Sequence, residues 1–234
     1  MQLSGKIAVV TGVSKGIGEA IVTNLLSEGC TVYGLGRTNY PHHSDNFHFI
    51  PTNVRNNNEV QSAFEHIFNQ SNQTIDILIN NAGLGYFGNV EDLPLNHWTE
   101  MIETNINAVF YCTRLSIPVM KKNGGGHVIN IASTAGLEGM PMVSGYCATK
   151  WAVKGFSESL WREVREDKIK VTCIYPGSVK TDFFNNSPNI KPHDYMLKAE
   201  DIASTIIHAL KSPDNCHHIN IEIRPLQPKG PKKA

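Results

Sequence analysis

The sequence predicts a single α/β domain: a mostly parallel, seven-stranded sheet, doubly wound, with helices on both faces. Three observations predict it. Short apolar runs alternate with longer amphipathic stretches along the whole chain, and such stretches supply the crossovers that parallel strands need. The 234 residues suit one large domain, and no linker, repeat or shift of composition divides them. With 41% apolar and 18% charged residues, the chain can bury a core of that size.

The elements follow in order. Residues 7–11 are an apolar run that reads as the first strand. Residues 17–28 form a helix with Ile21, Val22, Leu25 and Leu26 on one stripe, closed by Gly29. Strands are expected at 31–35 and 48–51. A helix over 58–69 carries Val60, Phe64, Ile67 and Phe68. The fourth strand, 75–79, ends in Asn80-Asn81-Ala82-Gly83. A long helix over 96–120, with Met101, Ile102, Val109 and Leu115 on its stripe, is broken by the glycines at 124–126. Strand 127–131 precedes a second long helix, 144–167. A strand over 170–175 is stopped by Pro176-Gly177. A helix over 199–211 and a strand over 218–223 complete the pattern. The irregular stretch 182–198 is expected to act as a lid, and 226–234 as a flexible tail.

Composition excludes several classes. Lys plus Arg and Asp plus Glu number 21 each, for a formal net charge of zero, so nucleic acid is not expected as a partner. The basic tail, with Lys229, Lys232 and Lys233, reads as a frayed end. The five scattered cysteines form no CxxC pair and fit reduced thiols in a cytoplasmic protein. The first apolar run is too short for a signal peptide. No run approaches the roughly 20 residues that span a bilayer, so no membrane partner is expected. The pairs His42-His43 and His217-His218 lack the i, i+4 spacing and acidic partner of a zinc helix. They read as solvated loop histidines, and no metal is expected.

The first strand runs into Thr11-Gly-Val-Ser-Lys-Gly-Ile-Gly18 and then a helix. This is the setting of a dinucleotide site: Gly12, Gly16 and Gly18 permit a tight turn and close backbone approach to a pyrophosphate, and the helix N-terminus offers N–H groups to it. Ser14, Lys15 and Ile17 share the turn and are cofactor-contact candidates. The same stretch contains a rival motif, Gly12-Val-Ser-Lys-Gly16, which fits the G-x-S-x-G elbow of serine hydrolases with Ser14 as nucleophile. Almost no chain precedes it to supply an oxyanion loop. After the second strand, where an NAD site commonly places Asp or Glu, the chain reads Gly34-Leu-Gly-Arg37. Arginine suits a 2′-phosphate, and Lys15 adds charge nearby, so NADP(H) is the expected cofactor.

Tyr146 and Lys150 fall one helical turn apart. A neighbouring ammonium favours the phenolate, so the pair predicts a tyrosine made more acidic than usual and suited to proton transfer. Ser133, at the end of the fifth strand, lies on the edge where doubly wound sheets bind ligands and can hold a substrate oxygen.

With these motifs, and with Asn105 and Pro176-Gly177 followed by Thr181, the chain resembles the short-chain dehydrogenase/reductase family over roughly residues 3 to 225. The resemblance implies a Rossmann-like domain and an NADP-dependent oxidoreductase that reduces a ketone or aldehyde carbonyl to an alcohol, reversibly. It implies Tyr146 as general acid, Lys150 as its modulator and a ribose contact, Ser133 as holder of the carbonyl oxygen, and Asn105 as holder of a relay water. Asn81, Ala82 and Gly83 would line the adenine-ribose side. Pro176, Gly177, Val179 and Thr181 would hold the nicotinamide. Asn53-Val54 stands where many relatives carry Asp-Val, and is kept as an adenine contact. The run through the last strand, 219–225, lacks the glycine-rich ending of many ketoacyl reductases, which weighs against a 3-oxoacyl substrate. A catalytically silent NADP-sensing protein is a further alternative.

Substrate contacts are expected from Leu84, Tyr86 and Phe87, from Leu137, Met140, Met142 and Val143, and from Phe183 and Phe184 of the lid. This mostly apolar set points to an apolar or aromatic carbonyl compound. Trp151, Phe156, Leu160 and Trp161 put apolar surface on a long helix, and related enzymes build dimer cores from such helices, so a homodimer or homotetramer is expected.

Overall fold

A computed structural model describes residues 1–38, 44–186 and 192–228. The strands are β1 (Ile7–Thr11), β2 (Thr31–Gly36), β3 (Phe47–Pro51), β4 (Ile77–Asn80), β5 (Gly126–Ile131), β6 (Ile169–Pro176) and β7 (Asn220–Ile223). The helices are α1 (Gly16–Ser27), α2 (Asn57–Gln70), α3 (Leu95–Ile102), α4 (Ala108–Lys122), α5 (Ser144–Val164) and α6 (Ala199–Lys211). The seven strands form one sheet in the order β3-β2-β1-β4-β5-β6-β7. Every pair is parallel, where the sequence reading allowed a mixed sheet.

Both faces of the sheet are buried, which is why its strands read as continuous apolar runs. Side chains alternate between two cores. Ala8, Val10, Ile77, Ile79, Ile129 and Ile131 pack with Ile21, Leu25, Ile202 and Ile206 of α1 and α6. Val9, Leu78 and Val128 pack with Phe64 and Ile67 of α2, Cys112 of α4 and Leu160 of α5. Each large side chain buried this way contributes roughly 1.5–3 kcal/mol. Of the apolar set on α5 expected at an interface, Leu160 belongs to this core and Phe156 and Trp161 pack against it. Trp151, 45% exposed, and Phe110 of α4, 49% exposed, are left on the surface.

The order reverses between β1 and β4, so their C-terminal ends diverge and open the crevice in which doubly wound sheets bind ligands. The strand tips at Thr11, Gly36, Asn80, Ile131 and Pro176 lie on this edge. Behind it, a buried polar chain ties the layers together. Asn80 donates to Thr113 (3.1 Å) and to Asn130 (2.8 Å), and Asn130 donates to Ser157 (2.9 Å).

The stretch read as one helix over 96–120 is α3 and α4 joined by a π-helical turn, Glu103–Asn107, a widening often found at functional sites. His217 and His218 are not solvated loop residues. The His217 ring bonds the backbone of Val171, and the His218 carbonyl accepts from Thr172. His42 and His43 lie outside the described residues. Among the described residues, no three His, Cys, Asp or Glu groups converge to hold a metal, and no helix is long and apolar enough to cross a membrane.

His127 is fully buried, with Nε2 2.8 Å from the Thr172 hydroxyl. That hydroxyl donates to His218 O, so Nε2 carries the proton and donates. Nδ1 has no partner. Protonating it would strand a buried N–H, and burial holds the His127 pKa well below the usual 6.5. The half-buried His217 is also pulled down, chiefly by burial. Unfolded, both histidines titrate near 6.5. Below that pH the unfolded chain takes up protons that the folded chain refuses, so stability falls as pH falls. We expect the melting temperature to drop between pH 7 and 5.5. A His127→Gln variant should lower the pH slope of stability by about 1.4 kcal/mol per pH unit, one proton's worth, measured by denaturant unfolding at each pH. An unchanged slope would show that His127 is not the group responsible.

Candidate active site

One cavity of about 660 Å³ runs along the open edge of the sheet, from the turn after β1 to the start of α5. Every residue singled out in the sequence as a cofactor contact lines it, as do Ser133, Tyr146, Lys150, Leu84, Met140 and Phe183. Asn105 does not. Its amide is buried behind the wall, 1% exposed.

At one end, the turn is built for close backbone approach. Gly12 and Gly16 have φ of +72° and +61°, which only glycine adopts without strain. A side chain at Gly12 would lie 2.8 Å from Ala82 Cα. Asn81 clamps the turn, its amide donating to Thr11 O (2.9 Å) and Gly12 O (3.0 Å). Thr11 returns the contact, its hydroxyl accepting from the N–H groups of Asn81 and Ala82. No side chain among the described residues caps α1, which leaves its first N–H groups at Gly16, Ile17 and Gly18 for a ligand. The cradle fits a phosphate group.

The charged residues around the turn differ from one another. Lys15 is paired with Asp182 at 2.9 Å, and Thr181 packs its methyl against Gly16, so the root of the expected lid sits on the phosphate turn. Arg37 is exposed and enters no ion pair among the described residues. Arg55, which no sequence motif marks, also lines the cavity and is held by Glu100 at 3.1 Å. Asn53 lines the wall, with its side chain accepting from Arg55 N and its backbone N–H donating to Glu59.

At the other end stand Ser133, Tyr146 and Lys150. Ser133 sits just past β5, its Oγ accepting from Ala135 N at 3.2 Å. The first half of α5 carries Tyr146 and Lys150 on its buried face. Lys150 crosses under the sheet edge and donates to Ile131 O at 2.9 Å, with Nζ 5.6 Å from the Tyr146 ring centroid. The expected acidic tyrosine is reversed here. Burial pushes the Tyr146 hydroxyl well above its usual range, and the Ser133 hydroxyl beside it only partly opposes this. Burial also pulls Lys150 down to about 8. Desolvation disfavours the charged form of each group because both are inside the protein.

Asn105 is a clamp. Its Oδ1 accepts from Leu84 N (3.0 Å), and its Nδ2 donates to Leu84 O (2.8 Å) and to Thr149 Oγ1 (3.0 Å). Both amide hydrogens are therefore spent on the protein.

The substrate end is aromatic. Phe183 lies 5.5 Å from Tyr146 and Phe87 5.9 Å from it, centroid to centroid, and Phe184 packs on both phenylalanines. Phe183 comes this close because Gly85 lacks a side chain; a Cβ there would lie 2.8 Å from the ring. Three expected contacts are elsewhere. Tyr86 stacks on His97 at 3.8 Å and donates to Glu100. Leu137 packs against the core. Met142, at φ +64°, is not among the lining residues. Ser14, the nucleophile of the hydrolase reading, lines the cavity but bonds no histidine among the described residues.

Residues 6–191 match the short chain dehydrogenase family. The chain is 36% identical over 234 residues to an uncharacterized oxidoreductase of Staphylococcus aureus strain MW2, covering 96% of this chain and 99% of the relative. A solved 3-ketoacyl-(acyl-carrier-protein) reductase from Brucella melitensis, complexed with NADH, superposes with a TM-score of 0.89 at 25% identity, covering 97% of this chain and 99% of that one. An alcohol dehydrogenase from the archaeon Thermococcus sibiricus, complexed with 5-hydroxy-NADP, gives 0.85 at 26% identity, with 98% and 100% covered. A glycine cradle, a Tyr–Lys turn and a serine share one cavity in a chain matched over most of its length, and the chain belongs to the short chain dehydrogenase family of oxidoreductases.

Proposed function

We propose that this protein is an NADPH-dependent carbonyl reductase, reversible as an alcohol dehydrogenase, acting on medium-sized apolar or aromatic ketones or aldehydes. The observation that carries the reading is the placement of Tyr146, Lys150 and Ser133 in the cavity whose other end is the phosphate cradle. When bound, the nicotinamide supplies a hydride to the carbonyl carbon. Ser133 Oγ holds the carbonyl oxygen and Tyr146 gives it the phenolic proton, which together with the hydride makes the alcohol. Lys150 stabilises the phenolate that remains and contacts the ribose. Asn105 keeps the relay role only through an acceptor, since its donors are engaged. Phe87, Phe183 and Phe184 exclude water and favour an apolar substrate. Exposed Trp151 and Phe110 support a homodimer or homotetramer, and the buried, unpaired thiols fit a cytoplasmic enzyme.

Arg37 supports NADPH over NADH. It is a cation in no ion pair among the described residues, standing where an acid would read the 2′-hydroxyl, whereas Lys15 is held by Asp182. The likeness to one NADH complex and one NADP-type complex is consistent with either dinucleotide. The test is turnover of 2,2,2-trifluoroacetophenone and an alkyl ketone with each cofactor. We expect NADPH to be preferred, and Arg37→Asp to lower the ratio of kcat/KM for NADPH over NADH by at least about 10-fold, on the scale of one charge-assisted contact of roughly 1.5–3 kcal/mol. A preference untouched by the substitution removes Arg37 as reader. Binding without turnover of any ketone identifies an NADP sensor instead. An acetoacetyl thioester in the same panel tests the 3-oxoacyl reading that the Brucella likeness raises.

A further inference from the structure

Between Tyr146 and Lys150, one residue before the lysine, stands Thr149. Its side chain is completely buried. Its hydroxyl donates to the carbonyl of Tyr146 at 2.8 Å and accepts from Asn105 Nδ2 at 3.0 Å. Asn105 in turn holds both backbone groups of Leu84. We propose that Thr149 is a positioning residue, which locks the helix carrying Tyr146 and Lys150 to the floor of the substrate pocket through Asn105. The proposal rests on the reductase reading for its catalytic consequence, though not for the clamp itself.

Satisfied valence fixes the partners. The Asn105 amide has two hydrogens and the Leu84 carbonyl takes one. The second needs an acceptor in a place sealed from water, and the Thr149 hydroxyl is the partner present. Thr149 can accept there only because its own hydrogen goes to Tyr146 O. The chain of bonds therefore has one direction: helix α5 sets the hydroxyl, the hydroxyl sets the amide, and the amide sets Leu84. The segment so fixed, 83–87, supplies Gly83, Leu84, Gly85 and Phe87 to the cavity. A Cβ at Gly83 would lie 3.5 Å from both Asn105 Oδ1 and Lys150 Nζ, so the floor, the clamp and the lysine meet at one point. The π turn places Asn105 in this gap. A regular helix would rotate the side chains that follow by the angle of one added residue.

The consequence is geometric. A small displacement of a reacting group lowers the chemical step by up to about 100-fold without a comparable effect on binding. Thr149→Val keeps the volume and removes both hydrogen bonds, leaving the Asn105 N–H without a partner. Thr149→Ser keeps the hydroxyl. With trifluoroacetophenone and NADPH, we expect Thr149→Val to lower kcat by about 10-fold or more, to leave the NADPH dissociation constant within about 2-fold, and Ser to restore most of the loss. In a double-mutant cycle, Thr149→Val should add little to the loss caused by Asn105→Ala, since both break one chain of bonds. Backbone hydrogen exchange supplies a readout independent of activity: segment 83–88 should exchange faster in the valine variant and normally in the serine variant. Wild-type kcat in the valine variant overturns the proposal, as does a loss of kcat that follows NADPH affinity, or full additivity with Asn105→Ala. If valine prevents folding, the serine variant and Asn105→Ala still report exchange at 83–88, and protection unchanged by Asn105→Ala overturns the clamp. If the wild type reduces no ketone, the reductase reading fails, while the exchange measurement still decides the clamp.

Discussion

A Tyr146→Phe variant binds NADPH as the wild type does and loses at least about 100-fold in ketone reduction. The substitution keeps the ring, and with it the contacts to Phe87 and Phe183, so packing is preserved and the hydroxyl alone is lost. One positioned proton donor contributes about 10²–10⁴-fold. Fluorescence titration and steady-state rates separate the two effects. Turnover within a few-fold of wild type means that the proton comes from elsewhere. The pH profile adds a sign. Burial raises Tyr146, so the phenol stays protonated and ready to donate across the neutral range. Burial lowers Lys150 to about 8, so its positive charge is complete well below that pH and lost above it. Reduction should hold at lower pH and fall as pH rises through about 8. Oxidation of the alcohol needs the phenolate and should rise with pH. A reduction rate that climbs above pH 8 contradicts this assignment of charges.

Burial explains where the sequence was legible and where it was not. Strands sealed on both faces must be apolar throughout, and amphipathic helices must show a stripe. The β-α alternation was therefore readable, and α6 was placed to the residue at both ends. The glycine cradle was readable because close backbone approach excludes side chains and leaves a spacing of glycines. What local pattern leaves unread depends on partners distant in the chain. Asn105 bonds Leu84, 21 positions away, and Thr149, 44 away, and nothing local marks an amide that will be spent this way. Tyr86 sits among pocket residues in sequence yet turns to His97 and Glu100, because its phenol finds a carboxylate there. The acidified tyrosine failed for a related reason. Spacing tells that an amine is near, but desolvation is set by the whole fold, and here it raises the phenol. His217 reads in the sequence as a solvated loop residue because its backbone partner lies 46 positions away.

Gly18→Ala tests the other end of the cavity, with an effect of comparable size. Gly18 is the third residue of α1, and its backbone runs against the start of the turn. A Cβ built there lies 2.0 Å from Gly12 O, 2.9 Å from Gly12 C and 2.6 Å from Asn81 Nδ2. The first two obstacles are backbone and cannot rotate away, unlike the end of a flexible side chain. Either α1 withdraws from β1, or the turn at Gly12 opens and the Asn81 clamp breaks. Both movements displace the N–H groups offered to the pyrophosphate. Overpacking in a well-packed region costs typically 1–3 kcal/mol, which alone is about a 5- to 150-fold loss if it falls on the bound state. We expect NADPH affinity to fall by about 5- to 150-fold and the melting temperature to drop several degrees. Gly155→Ala in α5 is the control. A Cβ there meets nothing within 4 Å, and alanine is the better helix former by up to about 1 kcal/mol. That variant should keep its affinity and melt no lower than wild type. If Gly18→Ala binds NADPH as tightly as Gly155→Ala does, the turn after β1 does not hold the dinucleotide.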